Sequence, residues 1–201
     1  VTLELGGKSP QLVFADADLD AALPFLVNAG IQNAGQTCSA GSRILVERSR
    51  FDEVVERLAQ RVRALKVGPA LADLDLGPLI SKRQHEIVSH YLGLARDTGL
   101  SVAAQGEIVD SAPAGGFYVR PTLVAAVPAA HALAQEEIFG PVQVVIAFTR
   151  PALTIGVPDA MSMKASRMWP PSRSVWICDT DLYGMCCRPA FVFRLSSSPQ
   201  K

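Results

Sequence analysis

The sequence predicts an α/β fold with an open, mostly parallel sheet and flanking helices. Helical and strand-like apolar patterns alternate over residues 1–150, and short breaks rich in Gly and Pro separate them. The predicted strands are apolar enough to be buried on both faces, as parallel strands usually are. With 201 residues, 49% of them hydrophobic, the chain is long enough to bury one substantial core.

The first predicted helix leads to a polar loop. Asp16 can cap this helix, because apolar residues at helical spacing follow it as far as Ile31. The helix should end near residues 33–35, the loop should continue to Ser42, and residues 44–46 form a predicted buried strand.

Further elements follow in order. Helical periodicity covers residues 51–67 and resumes after Ser81, a strand is predicted over 101–104, and residues 142–148 give the clearest strand pattern. Residues 151–201 show neither period, so we assign no element there and expect a divergent, poorly packed tail.

Composition and charge exclude several classes of function. The 19 basic and 19 acidic residues balance without long runs, which argues against nucleic acid or an acidic membrane surface as a partner. No apolar stretch is long enough to span a bilayer, no leader is evident, and the four cysteines show neither metal-ligand spacing nor a disulfide framework. We therefore expect a cytoplasmic protein without a metal that acts on a small molecule.

Three segments can carry chemistry. Cys38 stands in a loop between two glycines, where a thiolate can attack a carbonyl carbon and a backbone N–H can stabilise the oxyanion. A small buried cysteine is the more common alternative for such a residue taken alone.

The other two segments contain acids. Glu4 interrupts an apolar strand that ends at Gly6 and Gly7, and partial desolvation there suits a general base, although a solvent-facing Glu4 or a pair with Lys8 fits equally. A third segment places two acids and an aromatic before the clearest strand, in the order Glu136-Glu137-Ile138-Phe139-Gly140-Pro141. It could bind sugar hydroxyls and stack on a ligand, or it could be a charged turn with Phe139 in the core.

Together and in this order, the three segments resemble the signature motifs of the aldehyde dehydrogenase superfamily over about residues 1–149. The likeness continues between them through Gly77-Pro78-Leu79-Ile80 and Gly116-Phe117-Tyr118-Val119-Arg120-Pro121. The resemblance implies that Cys38 is the catalytic nucleophile and Glu4 the general base. It also implies four cofactor-binding residues, namely Glu137 at the nicotinamide ribose, Phe139 beside it, and Leu5 and Gly6 against the nicotinamide.

The implied reaction oxidises an aldehyde in two stages. The Cys38 thiolate forms a thiohemiacetal, which becomes a thioester when its hydride passes to NAD or NADP, and Glu4 then activates the water that releases the acid. A nicotinamide cofactor is required because no protein side chain accepts hydride. The choice between NAD and NADP and the identity of the aldehyde stay open. The resemblance also implies a homo-oligomer for the full-length parent.

The resemblance predicts two regions. Residues 1–150 correspond to a catalytic-domain fragment, with residues 1–10 at the junction to a cofactor-binding domain that family members carry before this point. Residues 151–201 keep only a faint likeness at 174–176, as a disrupted reading frame or an unrelated exon would produce. We therefore expect this chain alone to form no NADH. Two alternatives are a non-catalytic remnant, which would not bind NAD(H), and a cofactor-independent cysteine esterase, which would hydrolyse activated esters.

Overall fold

A computed structural model describes residues 1–3, 5–149 and 175–177 of the chain. The strands are β1 (Pro10–Val13), β2 (Arg43–Glu47), β3 (Lys66–Val67), β4 (Ser101–Gln105), β5 (Glu107–Ile108), β6 (Thr122–Ala125), β7 (Val142–Phe148) and β8 (Val175–Ile177). The helices are α1 (Leu19–Ile31), α2 (Phe51–Ala64), α3 (Lys82–Asp97) and α4 (Ala132–Gln135). This alternation confirms the α/β class.

Six of these strands form the main sheet, in the order β4-β6-β7-β2-β1-β8. The central pairs β6–β7, β7–β2 and β2–β1 are parallel, whereas β4 and β8 pair antiparallel at the two edges. Strands β3 and β5 form a separate parallel pair. The mostly parallel sheet is as expected, since helical connections return each central strand to the same direction.

Strand β8 is an element for which the sequence pattern gave no assignment. Its backbone pairs with β1, with Val175 opposite Val13 and Ile177 opposite Gln11. This segment covers two of the three positions with a faint family likeness. The remainder of the predicted tail, residues 151–174 and 178–201, lies outside the described residues.

Two helix boundaries differ from the sequence-based expectation. Helix α1 is capped by Asp18 rather than Asp16, because the Asp18 carboxylate accepts the backbone N–H groups of Asp20 and Ala21 at 3.1 and 3.3 Å. Helix α2 ends at Ala64, three residues earlier than expected, because Leu65 is extended and the next two residues pair with β5. Ser81 caps α3 as predicted.

The core lies between the main sheet and the helices packed on it. Many of its largest fully buried apolar side chains come from α1, α2 and the central strands, among them Leu23, Leu26, Leu58, Ile44 and Leu123. Burying each such side chain contributes about 1.5–3 kcal/mol to folding. Within the described residues, no helix has both the length and the apolar character needed to cross a bilayer.

Candidate active site

The three chemically interesting segments converge because of strand order. Each of them runs directly into one of three neighbouring parallel strands: residues 1–7 precede β1, residues 36–42 precede β2, and residues 136–141 precede β7. Parallel neighbours begin at the same edge of a sheet. The segments, which are up to 130 residues apart in sequence, therefore gather at the amino-end edge of the sheet.

Cys38 is exposed in the loop over residues 36–42. The chain reaches this loop from α1 through a 3-10 turn, Gln32–Gly35, in which Asn33, Ala34 and Gly35 all have left-handed backbone angles, with φ of 52°, 54° and 73°. These angles reverse the chain direction, and the Ala40 N–H then closes a turn on the Thr37 carbonyl at 3.0 Å. The alternative of a small buried cysteine is wrong, since the side chain lies at the surface.

The Cys38 loop meets the third segment at a contact between two glycines. A Cβ atom added to Gly35 would lie 2.2 Å from the carbonyl oxygen of Gly140, a distance that no real Cβ atom tolerates. Glycine is required at position 35 on this ground and because of its positive φ. The close approach brings the loop that contains the nucleophile candidate against the segment that contains Glu137.

The amino-terminal end of α3 links the same two segments. The Gln36 side-chain oxygen accepts the Ile80 N–H at 2.9 Å, and the Gln84 amide donates to the carbonyl oxygens of Ile138 and Phe139 at 3.0 and 2.8 Å. Phe139 has a left-handed φ of 55°, which is unusual for an aromatic residue. The Gln84 contacts stabilise this unfavourable backbone conformation.

Glu137 lies against the glycine pair that ends the first segment. The Gly7 N–H donates to Glu137 Oε1 at 3.2 Å. A Cβ atom added to Gly6 would lie 1.9 Å from Glu137 Oε2, so glycine makes room for the carboxylate. The structure thus brings together Gly6 and Glu137, two of the predicted cofactor-binding residues.

The remaining predicted site residues either lie at the surface of this edge or fall outside the residues that the structure describes. Leu5 is 45% exposed and Phe139 is 37% exposed, which disfavours a core position for the Phe139 ring. Glu4, the predicted general base, lies outside the described residues. Its role stays a prediction, as do the roles of Cys38, Glu137, Phe139, Leu5 and Gly6.

The sequence analysis missed the burial of Lys8. Lys8 is 6% exposed, and its Nζ atom has no hydrogen-bond partner. Burial and the nearby Arg43 guanidinium lower the pKa of Lys8 to about 7, and the Glu137 carboxylate partly opposes this shift. Burial also lowers the pKa of Arg43, whose side chain donates to the Ala134 carbonyl at 3.3 Å. The only signal in the sequence was a lysine directly after two glycines.

A tyrosine on α3 holds the other acid of the third segment. The Tyr91 hydroxyl donates to Glu136 Oε2 at 2.6 Å. This hydrogen bond, together with burial and the charge of Glu136, raises the pKa of Tyr91 to about 12. Glu136 therefore points to α3, whereas its neighbour Glu137 reaches the glycine pair. Among the described residues, no group of three or more His, Cys, Asp and Glu side chains could hold a metal ion.

The fold is of the α/β class with a mostly parallel sheet, and three segments that the sequence motifs singled out converge at one edge of it. The chain belongs to the aldehyde dehydrogenase family, whose pattern matches residues 1–156. This match confirms the family resemblance drawn from the sequence motifs.

Individual relatives agree with this assignment. A betaine aldehyde dehydrogenase from Mesorhizobium japonicum is 40% identical over 149 residues, which make up 73% of this chain and 31% of that protein. The crystal structure of an aldehyde dehydrogenase homologue from Burkholderia cenocepacia is 58% identical with a TM-score of 0.73, covering 74% of this chain and 31% of that one. The NAD+ complex of an aldehyde dehydrogenase from Bacillus cereus is 41% identical with a TM-score of 0.69, covering 75% and 30%. The chain thus spans about three tenths of the length of the relatives it matches.

Proposed function

We propose that residues 1–149 form the nucleophile-bearing part of an NAD(P)-dependent aldehyde dehydrogenase, with Cys38 as the nucleophile. The observation that supports this most directly is the convergence of the three segments at one sheet edge, where the exposed Cys38 loop packs through Gly35 on Gly140. Family membership gives the reaction class. The arrangement supplies the proximity that a two-stage reaction at one carbon requires.

The first stage uses the exposure of Cys38. An aldehyde carbon can reach the sulfur from solvent, where the thiolate forms a C–S bond and the carbonyl electron pair moves onto oxygen. Backbone N–H groups of the same tight loop are suited to stabilise that oxyanion. Loss of hydride from the adduct then leaves a thioester on Cys38.

The residues around Glu137 fit a nicotinamide cofactor. The Gly7 N–H holds the Glu137 carboxylate, which stays exposed and can accept hydrogen bonds from ribose hydroxyls, and the missing side chain of Gly6 leaves room beside it. Leu5 and Phe139 add exposed apolar surface at the same edge. When bound, the cofactor supplies the hydride acceptor of the reaction. The NAD+ complex of the Bacillus cereus relative supports this part of the proposal.

We assign thioester hydrolysis to Glu4 on sequence grounds. Glu4 stands two residues before Gly6, and a carboxylate at that point of the chain is suited to take a proton from water as the water attacks the thioester. The aldehyde substrate and a cytoplasmic location likewise remain predictions.

A chimera tests the proposal. Residues 1–149 replace the matching segment of the Bacillus cereus aldehyde dehydrogenase, which supplies the rest of the enzyme, and NADH formation is followed with several aldehydes. We expect turnover in the chimera and its complete loss in Cys38→Ser, because an alcohol is a far weaker nucleophile at neutral pH. Glu4→Gln should give a burst of NADH followed by a slow steady state.

The controls separate the competing functions. Another cysteine such as Cys178 cannot serve as the control, because it lies outside the grafted segment. Ser39→Ala, at the position beside Cys38, is the loop control instead and should keep turnover. A folded chimera that forms no NADH and hydrolyses no activated ester would support a non-catalytic remnant. Cys38-dependent hydrolysis of an activated ester without NADH formation would support the esterase alternative.

A further inference from the structure

Two buried glutamines meet beneath the Cys38 loop. Gln11 on β1 is 0% exposed, and Gln143 on β7 is 3% exposed. These strands flank β2, which begins directly after the loop. A glutamine amide is rarely buried without a specific partner, because desolvation of its polar atoms costs free energy that only hydrogen bonds recover.

Both amides donate to the same two carbonyl oxygens. Gln11 Nε2 donates to the carbonyls of Leu26 at 3.2 Å and Gly41 at 2.6 Å. Gln143 Nε2 donates to the same Leu26 and Gly41 carbonyls at 2.8 and 2.9 Å. Leu26 lies in α1 and Gly41 lies three residues after Cys38, so the amide pair connects the end of the loop to the helix before it.

The surrounding chain is shaped to accept the two side chains. A Cβ atom on Gly30 would lie 2.2 Å from the Gln143 amide carbon, and one on Gly41 would lie 2.6 Å from the Gln11 amide carbon. The Gly41 N–H also donates to the Ala29 carbonyl at 2.8 Å, so Gly41 is held at both its backbone groups.

The pair is formed at the expense of another polar group. Gln11 Oε1 is buried without a hydrogen-bond partner, since both glutamine nitrogens are directed at the two carbonyls. A buried unpaired carbonyl destabilises a fold. The Gly41 carbonyl therefore receives two hydrogen bonds, while Gln11 Oε1 receives none.

We infer that Gln11 and Gln143 are positioning residues that fix the Cys38 loop on the sheet. They act through the Gly41 carbonyl and have no contact with Cys38 itself among the hydrogen bonds of the described residues. The inference rests on the proposed nucleophilic role of Cys38, but it concerns the placement of the thiol and can be tested without cofactor or aldehyde.

The test measures how fast the Cys38 thiol of the 201-residue chain reacts with iodoacetamide as a function of pH. Peptide mapping by mass spectrometry separates Cys38 from the other three cysteines of the chain. The variants are Gln11→Met, Gln143→Met and the double variant, since methionine keeps the shape of glutamine without its donors. Gln105→Met is the control for loss of a sheet amide at a distant position, because Gln105 is an exposed residue of β4 that donates to Thr122 Oγ1 at 3.1 Å, away from the loop.

Each carbonyl keeps one glutamine donor in a single variant and has no glutamine donor in the double variant. We therefore expect small changes in the single variants, a change of at least about threefold in the double variant with a displaced pH midpoint, and none in the control. Restoring either glutamine should restore most of the original profile. Thermal melts recorded in parallel separate a loss of stability from an altered Cys38 site, and the alkylation rates are compared at a temperature at which every variant is folded.

Two results would overturn the inference. One is a folded double variant with the Cys38 profile of the unmodified chain, and the other is an equal change in Gln105→Met. If the double variant does not fold, Gln143→Glu decides. Its carboxylate removes one donor and places negative charge against the two carbonyl oxygens, so it should change the Cys38 profile more than Gln143→Met does. An unaltered Cys38 profile there also rejects the idea. Failure of the chimera to oxidise aldehydes would reject the proposed function instead.

Discussion

The Cys38 loop, residues 36–42, and the amino-terminal segment, residues 1–7, reach the same sheet edge but are held very differently. The loop leaves through Gly41, which receives two buried amide donors and donates to α1. The amino-terminal segment contacts the third segment through the Gly7 N–H and Glu137, while Val1, Leu3 and Leu5 are exposed. The loop with the nucleophile candidate is thus held by buried groups of the core, whereas the described residues of the amino-terminal segment meet the third segment at the surface.

This difference indicates how the two halves of the site should respond to change. Perturbing the loop disturbs buried backbone contacts, so it should affect folding and reactivity together. Perturbing the amino-terminal segment moves one exposed carboxylate, so it should affect cofactor binding with little effect on folding. Four predictions follow this contrast, in decreasing order of expected effect.

Gly35→Ala should lower the free energy of unfolding by about 3 kcal/mol, because it adds a left-handed backbone cost to a clash with the Gly140 carbonyl. Gly99→Ala is the matched control, since Gly99 has nearly the same φ, 71° against 73°, but open space around it. Only the backbone cost of about 1 kcal/mol applies there. Urea unfolding measures both, and equal losses would show that the glycine contact does not matter.

Lys8, the residue directly after the amino-terminal segment, should make the stability of the fold depend on pH. Its pKa is about 7 in the folded chain against 10.5 for a free lysine, so the unfolded chain binds more protons between these values. Stability should therefore rise with pH above 7, by roughly 2–3 kcal/mol by about pH 9.5. Below pH 7 both states are protonated, and the cost of burying the charge is fully present.

Lys8→Met should remove this rise, as measured by urea unfolding at a series of pH values. Lys82→Met is the control, because Lys82 is an exposed lysine that pairs with Glu86 at 3.6 Å. The interpretation of Lys8 as a neutral buried amine fails if its removal leaves the pH dependence unchanged.

Gly6→Ala should act on cofactor binding more than on folding. The added Cβ atom meets the Glu137 carboxylate, which can swing away into solvent, so the stability loss should stay below about 1 kcal/mol. In the chimera we expect the KM for NAD+ to rise about tenfold, which corresponds to about 1.4 kcal/mol. Gly77→Ala, at a glycine with open space around it, should leave the KM unaltered. An unaltered KM for NAD+ in Gly6→Ala would show that the position of the Glu137 carboxylate does not matter for cofactor binding.

Tyr91→Phe should have the smallest effect. It removes one hydrogen bond, from the Tyr91 hydroxyl to Glu136, at a partly exposed position, so the free energy of unfolding should fall by about 0.5–1 kcal/mol. Alkylation of Cys38 should keep its rate, because the contact is remote from Gly41. A large change in that rate would show that the third segment and the loop are more tightly coupled than the Gly35–Gly140 contact indicates.

The sequence by itself determined the local elements and the family. Apolar periodicity depends on neighbouring residues, so it predicted β7 and the beginning of α3 correctly, and it assigned Cys38 to a loop. Motifs of a few residues were enough for the aldehyde dehydrogenase resemblance. The local pattern was least reliable at boundaries: it predicted Asp16 as the cap of α1, whereas the hydrogen bonds of the folded chain select Asp18.

Tertiary structure alone decided how the segments meet. Strand order places β1, β2 and β7 side by side. It pairs residues such as Pro10 with Arg43 and Arg43 with Val144, which are distant in sequence, and no local pattern records such pairs. The same packing buries Lys8 without a partner and directs Gln11 and Gln143 at one pair of carbonyls. From sequence alone, a polar residue in a strand pattern is expected at the surface. Its burial is favourable only when distant backbone groups complete its hydrogen bonds, and a local pattern does not show those groups.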